Sequence, residues 1–128
     1  MIEWWPHLGL VALGGGIGGA LRHIVTVWFD EFAGERFPWG TLAVNLSGAF
    51  LLGVLLGFGA GQPAAHGASW LLLGIGVMGS YTTVSTMSLQ ALLMARDDRR
   101  GAALVYVVTT LVAGVTAVLA GYFLGTLS

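Results

Sequence analysis

A run of hydroxyl side chains marks the stretch GSYTTVSTMSLQ, residues Gly79 to Gln90. It lies in an apolar region, and between Phe37 and Ala95 the chain contains no Asp, Glu, Lys or Arg. A single Ser or Thr in such a region often donates its hydroxyl to a backbone carbonyl one turn earlier, which is a structural role only. A cluster offers more hydrogen-bonding capacity than that role uses. The cluster is therefore the first candidate for a site that handles a polar ligand.

Two arrangements of this stretch are open. On a continuous helix, Thr82 and Thr86 share one face, and so do Thr83 and Thr86, which produces a polar stripe. If the helix breaks near Gly79, backbone groups become available to coordinate an ion, an arrangement found where the break faces protein or a cavity. The hydroxyls either form hydrogen bonds that hold helices together or line an ion pathway, and their clustering favours the pathway.

Arg22 and Asn45 are isolated polar residues inside apolar runs. A charge such as that of Arg22 is expensive within a membrane, so it either faces a cavity or partner or reaches the interface along its own stem. Asn45 is the only Asn in the chain. Its two N–H donors serve either an anion or a hydrogen bond across a helix interface.

Tyr106 and Thr110 lie one turn apart on a predicted helix. Two interpretations are open for them as well. They either continue a polar line through the protein, or the tyrosine packs inside the bundle beside a threonine whose hydroxyl bonds to its own helix.

The composition excludes several other kinds of site. There are no cysteines, hence no disulfides or thiolate metal ligands, and the three histidines have no carboxylates at metal-ligand spacing. The glycine run GGGIGG lies inside an apolar segment without a preceding strand or a following Lys-Ser/Thr pair, so it is not a phosphate loop. A net charge of −1 gives no indication of a nucleic-acid partner. We predict that the chain is not an enzyme.

The elements that must position these residues are membrane helices. Of the 128 residues, 56% are hydrophobic and 9% are charged, whereas soluble domains carry about 25% charged residues. A bilayer core needs about 20 helical residues to cross it. Four segments meet this length, and together they predict one all-α transmembrane domain, residues 1–128: Leu8–Phe29, Thr41–Ala60, Trp70–Ala95 and Ala102–Leu127.

Small residues recur four positions apart in three of these segments. Such pairs let helix backbones approach closely, so they predict tight packing. The pairs are Gly14/Gly18, Gly15/Gly19, Gly53/Gly57 and Gly121/Gly125.

The arginines predict the orientation of the chain. With four crossings, the connections after the first and third segments lie on one side, and they contain Arg36, Arg96, Arg99 and Arg100. The positive-inside rule places this side in the cytoplasm and both termini outside.

Three runs in this order, GGIGGALRH, FPWGTLAVNLSGAFLLG and GSYTTVSTMSLQ, resemble the Fluc (CrcB) family of fluoride ion channels. The resemblance covers nearly the whole chain. It implies a passive, fluoride-selective export channel in the inner (plasma) membrane that lowers cytoplasmic fluoride. It also implies an antiparallel dimer with two pores and a third helix that is broken at its centre.

The same resemblance implies roles for individual residues. The backbone carbonyls of Gly79 and Thr82, from both subunits, would hold a structural sodium ion. Hydroxyl and amide groups would replace the water of fluoride along its path. The residues that the resemblance places on this path are Arg22, Asn45, Ser85, Thr86, Tyr106 and Thr110.

The chain departs from the family pattern at three positions. Val84 and Met87 occupy the places of a phenylalanine pair whose ring edges contact the anion, and Gln90 occupies the place of an acid. The alternative is therefore a non-conducting or weakly conducting assembly subunit that pairs with a phenylalanine-containing homologous chain. The expected partners are fluoride, membrane lipid and a second copy or a closely related chain.

A proton-coupled exporter of the small multidrug type is a rival class with four crossings. It needs a titratable carboxylate within its first helix. The segment Leu8–Phe29 contains none, so we predict passive flow down a gradient.

Overall fold

The computed structural model describes residues 4–34, 36–59 and 67–127, and the regular structure in these residues is helical throughout. The prediction of an all-helical chain is confirmed for this part of the sequence. The third element is wound as a π-helix and runs directly into the fourth, a single α-helical turn. The helices are α1 (Trp4–Ala33), α2 (Trp39–Phe58), α3 (Trp70–Met78), α4 (Gly79–Tyr81), α5 (Val84–Arg96) and α6 (Arg100–Thr126).

Within the described residues, three helices are long and apolar enough to span a membrane, namely α1 from Trp5 onward, α2 and α6. The third predicted segment, Trp70–Ala95, is covered by α3, α4 and α5, which are each shorter than a bilayer requires. The predicted end of the second segment at Ala60, and the glycine and proline turn that follows it over residues 61–66, lie outside the described residues.

The end of α1 is determined by the backbone and not by the charged side chains near it. The charges at Asp30 and Glu31 predict an end at Phe29, but α1 continues one more turn to Ala33. Gly34 then adopts φ +82° and its N–H donates to the Asp30 carbonyl at 3.1 Å, which is the left-handed glycine that commonly terminates a helix. Charged residues at a membrane surface are solvated, so they do not by themselves stop a helix.

The helices α2 and α6 pack along a glycine seam. A Cβ atom added at Gly53 or Gly57 would collide with the carbonyl oxygens of Val118 and Tyr122, and one at Gly121 would collide with that of Phe50. Because the contacts advance along both helices in the same direction, α2 and α6 run parallel. Each backbone therefore fills the space that a side chain would need on its neighbour.

The helices α1 and α3 form a second pair of the same kind. A Cβ atom at Gly14 would meet the Leu72 carbonyl and the backbone of Gly76, and one at Gly18 would meet the Val77 carbonyl. Contacts again advance in one direction, so α1 and α3 also run parallel. Since α1 and α2 are consecutive helices that meet at Gly40 and Thr26, this order fits the four alternating crossings predicted from the sequence.

One of the predicted glycine pairs, Gly15/Gly19, makes no close backbone contact within the described residues of the chain. Gly15 meets only the Ser80 hydroxyl, and a Cβ atom at Gly19 would meet nothing within 4 Å. Neighbouring positions on a helix point about 100° apart, so the face of Gly14 and Gly18 and the face of Gly15 and Gly19 cannot both contact α3.

The two connections that carry arginine lie at the same end of the molecule. The Arg99 guanidinium donates from Nη1 to the Arg36 carbonyl, which ties the connection before α6 to the one before α2. A cavity of about 290 Å³ opens there, with Asp30, Gln90 and Asp97 among its lining residues. The sequence predicts that these two connections lie on the same side, and the structure places them together.

Candidate functional site

The helical hydrogen bonding between α4 and α5 is interrupted at Thr82 and Thr83. Thr82 has φ −80° and ψ 155°, and Thr83 has φ −152° and ψ 125°, so both residues are extended. The polar stripe of a continuous helix is therefore not formed. An interruption leaves carbonyls at the end of one helix and N–H groups at the start of the next without their helical partners.

Asn45 of α2 bonds to the backbone at this interruption with both ends of its amide. Its Oδ1 atom accepts from the Thr83 N–H at 2.8 Å, and its Nδ2 atom donates to the Thr83 carbonyl at 2.9 Å. Of the two uses that the sequence leaves open for this amide, the structure contains the bond across a helix interface. One N–H of the amide remains beyond the bond to Thr83.

The Thr83 side chain caps α5. Its Oγ1 atom accepts from the Thr86 N–H at 3.2 Å and lies 3.2 Å from the hydroxyls of Ser85 and Thr86. Threonine is a preferred residue at this position because its hydroxyl replaces a helical acceptor. The hydroxyl cluster thus begins as the first turn of α5.

These hydrogen bonds change the partners of two carbonyls. In a continuous helix the Thr83 N–H would donate to the Gly79 carbonyl, and the Thr86 N–H would donate to the Thr82 carbonyl. Both donors instead bond to side chains, one to Asn45 and one to Thr83. The carbonyls of Gly79 and Thr82 therefore lose their helical donors.

Neutral carbonyl oxygens of this kind suit a small hard cation. Unwound backbone carbonyls coordinate sodium in other membrane proteins. Gly79 is exposed, and a Cβ atom there would meet nothing within 4 Å. The Thr82 hydroxyl is not available to the same ion, because it donates to the Met78 carbonyl at 3.0 Å. No group of three or more His, Asp or Glu side chains that could bind a metal occurs within the described ranges.

A cavity of about 250 Å³ lies between α1, α2 and the interruption. Among the described residues, Arg22 is the only one with a formal charge that lines this cavity, and no carboxylate of that set lines it. Four of the other lining residues are threonines, whose side chains carry hydroxyl groups. The lining residues are Gly19, Arg22, His23, Thr26, Thr41, Val44, Thr83 and Thr86.

The composition of this cavity suits an anion. A guanidinium inside an apolar region attracts negative charge strongly because little water screens it. Hydroxyl groups can turn their hydrogens toward an anion and stand in for its water. Arg22 is partly buried here, so the interpretation in which it faces a cavity describes its position.

Gln90 of α5 and the two predicted site residues on α6, Tyr106 and Thr110, form a separate group. The Tyr106 hydroxyl donates to Gln90 Oε1 at 2.9 Å, and the Tyr106 side chain is fully buried. The Thr110 hydroxyl donates to the Tyr106 carbonyl at 2.7 Å. These are the contacts of a packed tyrosine beside a back-bonded threonine, the second of the interpretations given above. Gln90 lines the cavity at the arginine-bearing end, and neither Tyr106 nor Thr110 lines the cavity beside Arg22.

The two positions of the phenylalanine pair have different surroundings. Val84 is 72% exposed on the first turn of α5, whereas Met87 is 8% exposed and packs in a core cluster with Leu42 and Tyr106. Ser85 is exposed and its hydroxyl lies beside that of Thr83.

The structure adds residues that the sequence argument did not single out. His23 and Thr26 line the cavity together with Arg22, and Thr41 lines it together with Thr83. Sequence spacing could have indicated two of these residues, because Thr26 lies one turn after Arg22 and Thr41 lies one turn before Asn45. The capping role of Thr83 has no such signal, since it depends on where the helix is interrupted.

The comparisons with a family model and with individual known proteins point to the same family. The family model described as "CrcB-like protein, Camphor Resistance (CrcB)" matches residues 9–122. A protein of Agrobacterium fabrum named "Fluoride-specific ion channel FluC" is 42% identical over 93% of this chain and 95% of its own length. Proteins of the same name from Hahella chejuensis and Rhizobium meliloti are 40% and 39% identical, over 91% and 90% of this chain and 91% and 92% of their own lengths.

Proposed function

The chain belongs to the CrcB family, and from that premise we propose that it forms a passive fluoride-selective channel. It is a multi-pass membrane protein, and an ion channel of this family is not an enzyme. Its curated relatives carry the name of a fluoride-specific ion channel. Fluoride is therefore the proposed ion for this chain too.

The observation that carries this proposal is the cavity beside the interruption. Fluoride is small and strongly hydrated, so a pore must replace its water with hydrogen-bond donors at little cost. The cavity combines the Arg22 guanidinium with threonine hydroxyls, and none of the described Asp or Glu side chains lines it. Asn45 and Ser85 adjoin it through their hydrogen bonds to Thr83.

The proposal includes a structural sodium ion and a dimer. Residues 70–96 would cross the membrane as one broken helix, and two antiparallel copies would bring their Gly79 and Thr82 carbonyls to a shared sodium ion. The support is that these carbonyls lack their helical donors and that Gly79 lies on the surface of the protomer. The ion would contribute positive charge between two chains at a point where backbone groups are otherwise unpaired.

Passive flow is the proposed mode of transport. The apolar interior from Phe37 to Ala95 contains no carboxylate, and coupled transporters use such groups to carry protons. Flow then follows the fluoride gradient, and export results whenever cytoplasmic fluoride exceeds the external concentration. The channel name of the relatives does not favour the alternative of a non-conducting assembly subunit.

Fluoride efflux from liposomes tests the proposal. The chain alone is reconstituted into vesicles loaded with potassium fluoride, valinomycin is added to carry the compensating charge, and potassium chloride vesicles serve as the ion control. We expect fluoride efflux well above that of empty vesicles and no chloride efflux. A pH gradient of either sign should drive no more fluoride uphill than it does in empty vesicles, where neutral HF alone crosses the lipid.

A matched pair of variants locates the path. Thr86 lines the cavity, whereas Thr116 is exposed on α6 and its hydroxyl donates only to the Val112 carbonyl at 2.9 Å. We expect Thr86→Val to slow fluoride efflux and Thr116→Val to leave it unchanged. Absence of efflux from a folded wild-type chain, or equal rates for the two variants, would contradict the proposal.

A further inference from the structure

We infer that Asn45 and Thr83 are positioning residues that keep the helix open at Thr82 and so present the Gly79 and Thr82 carbonyls to a cation. This inference rests on the proposed function for the identity of the cation, sodium. It assigns Asn45 a role through the backbone, separate from any contact with fluoride.

The covalent structure of the segment does not force the interruption. Residues 70–96 contain no proline, which is the residue that most often breaks a helix. Thr82 and Thr83 are extended with negative φ angles, so no glycine-specific conformation is needed there. Tertiary hydrogen bonds must therefore hold the chain open.

The two backbone N–H groups that would continue the helical hydrogen bonding across Thr82 and Thr83 each donate to a side chain instead. The Thr83 N–H, which would return to the Gly79 carbonyl, is held by Asn45 Oδ1 at 2.8 Å. The Thr86 N–H, which would return to the Thr82 carbonyl, is held by Thr83 Oγ1 at 3.2 Å. Asn45 Nδ2 also donates to the Thr83 carbonyl at 2.9 Å, so the amide holds the two peptide groups that flank the Thr83 Cα atom.

Asn45 is well placed to act as a fixed support. It lies on α2 between the buried residues Val44 and Gly48, and Gly48 lets Thr82 and Tyr81 approach α2 closely. The Ser47 hydroxyl adds a hydrogen bond of 3.0 Å to the Tyr81 hydroxyl. The helix α2 thus contacts the chain on both sides of the interruption.

The Thr82 and Thr83 hydroxyls differ in whether they keep a backbone N–H away from a carbonyl of the proposed cation site. The Thr82 hydroxyl donates to the Met78 carbonyl within the preceding helix at 3.0 Å, so it holds no donor away from a carbonyl. The Thr83 hydroxyl does so directly. The two adjacent threonines should therefore differ in their effect on the cation site.

A sodium titration tests the inference without measuring transport. The purified chain is prepared in detergent in potassium-free and sodium-free buffer with N-methyl-D-glucamine as the cation. Thermal unfolding is then followed against sodium chloride and, separately, against N-methyl-D-glucamine chloride. The variants are Asn45→Ala and Thr83→Val, with Thr83→Ser as the variant that keeps the hydroxyl and Thr116→Val as the matched control.

We expect sodium to raise the melting temperature of the wild-type chain, Thr83→Ser and Thr116→Val at similar concentrations. Asn45→Ala and Thr83→Val should require at least about tenfold more sodium, the loss typical of residues that orient metal ligands. Amide hydrogen exchange should show the Thr86 N–H protected in Thr83→Ser and exchanging differently in Thr83→Val. Variants that melt cooperatively count as folded.

Wild-type sodium affinity in folded Asn45→Ala and Thr83→Val would overturn the inference, and so would a wild-type chain that does not respond to sodium. If Asn45→Ala does not fold, Thr83→Val against Thr83→Ser decides alone. The proposed function fails independently: a wild-type chain that binds sodium but passes no fluoride in the liposome assay would contradict the channel and leave the positioning role intact.

Discussion

At the scale of single residues, Val84 and Met87 lie on consecutive turns of α5, but one is exposed and the other is buried, so substitution by phenylalanine should affect them differently. Val84 is 72% exposed, so Val84→Phe should change the free energy of unfolding by less than about 0.5 kcal/mol. Met87 is packed against Leu42 and Tyr106, so Met87→Phe should cost about 1–3 kcal/mol by overpacking. If Val84 faces a pore completed by a second copy, Val84→Phe adds an aromatic edge and should raise fluoride efflux.

Leu89→Phe is the control for this pair, because Leu89 is 56% exposed on the same helix and has no role in the proposed path. Unfolding in detergent gives the stability of the three variants, and the liposome assay gives their efflux rates. Equal destabilisation by Val84→Phe and Met87→Phe would contradict the structural difference. An efflux increase in Leu89→Phe as large as in Val84→Phe would show that the effect is not specific to the position.

The roles of single residues are the part of the site that the sequence predicts least. Arg22 and Thr86, which the family resemblance places on one ion path, line one cavity. The partner of Asn45 lies 38 residues away, and no spacing rule relates an amide on one helix to the backbone of another. Likewise, the fully buried position of Tyr106 follows from the packing of α5 against α6, which the sequence leaves open.

At the scale of elements, the glycine seam between α2 and α6 should control stability. Gly57→Ala and Gly121→Ala would each place a Cβ atom against a backbone carbonyl oxygen, of Tyr122 and Phe50 respectively. Backbone cannot move aside as a flexible side chain does, so we expect each to cost about 1–3 kcal/mol or more. Gly114→Ala on α6 is the control, because nothing lies within 4 Å of its Cβ position.

The control should differ in sign as well as in size. Alanine is favoured over glycine within a helix by up to about 1 kcal/mol, so Gly114→Ala should be neutral or stabilising. Thermal unfolding in detergent measures all three variants. Unchanged stability in both Gly57→Ala and Gly121→Ala would mean that α2 and α6 are not in close backbone contact.

Elements were the most predictable level of this fold. Hydropathy located the long apolar segments because crossing a bilayer requires about 20 apolar residues in a row. Glycine spacing marked Gly53/Gly57 and Gly121/Gly125 as positions of close packing without saying which helices meet there, and it could not decide between Gly14/Gly18 and Gly15/Gly19, since both pairs have the same period. The end of α1 at Ala33 depended on the backbone of Gly34, whereas the charges before it suggested an earlier end.

At the scale of the whole molecule, the charge distribution is one-sided. The connections before α2 and before α6 lie together, joined by the bond from Arg99 to the Arg36 carbonyl. Ser69, just before α3, lies at the opposite end, because α3 runs parallel to α1. An excess of arginine on one side favours a single orientation. A chain with one orientation can form an antiparallel dimer only with a differently oriented partner.

Labelling of single cysteines determines this orientation directly. The chain contains no cysteine, so Ser69→Cys and Asp98→Cys each introduce one reporter at an exposed position. If the arginines fix one orientation, a membrane-impermeant maleimide labels Ser69→Cys in intact cells and labels Asp98→Cys only after permeabilisation, and a closely related chain of opposite orientation must then supply the other half of the proposed dimer. Partial labelling of both variants before permeabilisation would contradict a fixed orientation, and it is the result required of a chain that forms the antiparallel dimer with its own copies. The orientation therefore decides whether the two pores of the proposed dimer are built from one chain or two.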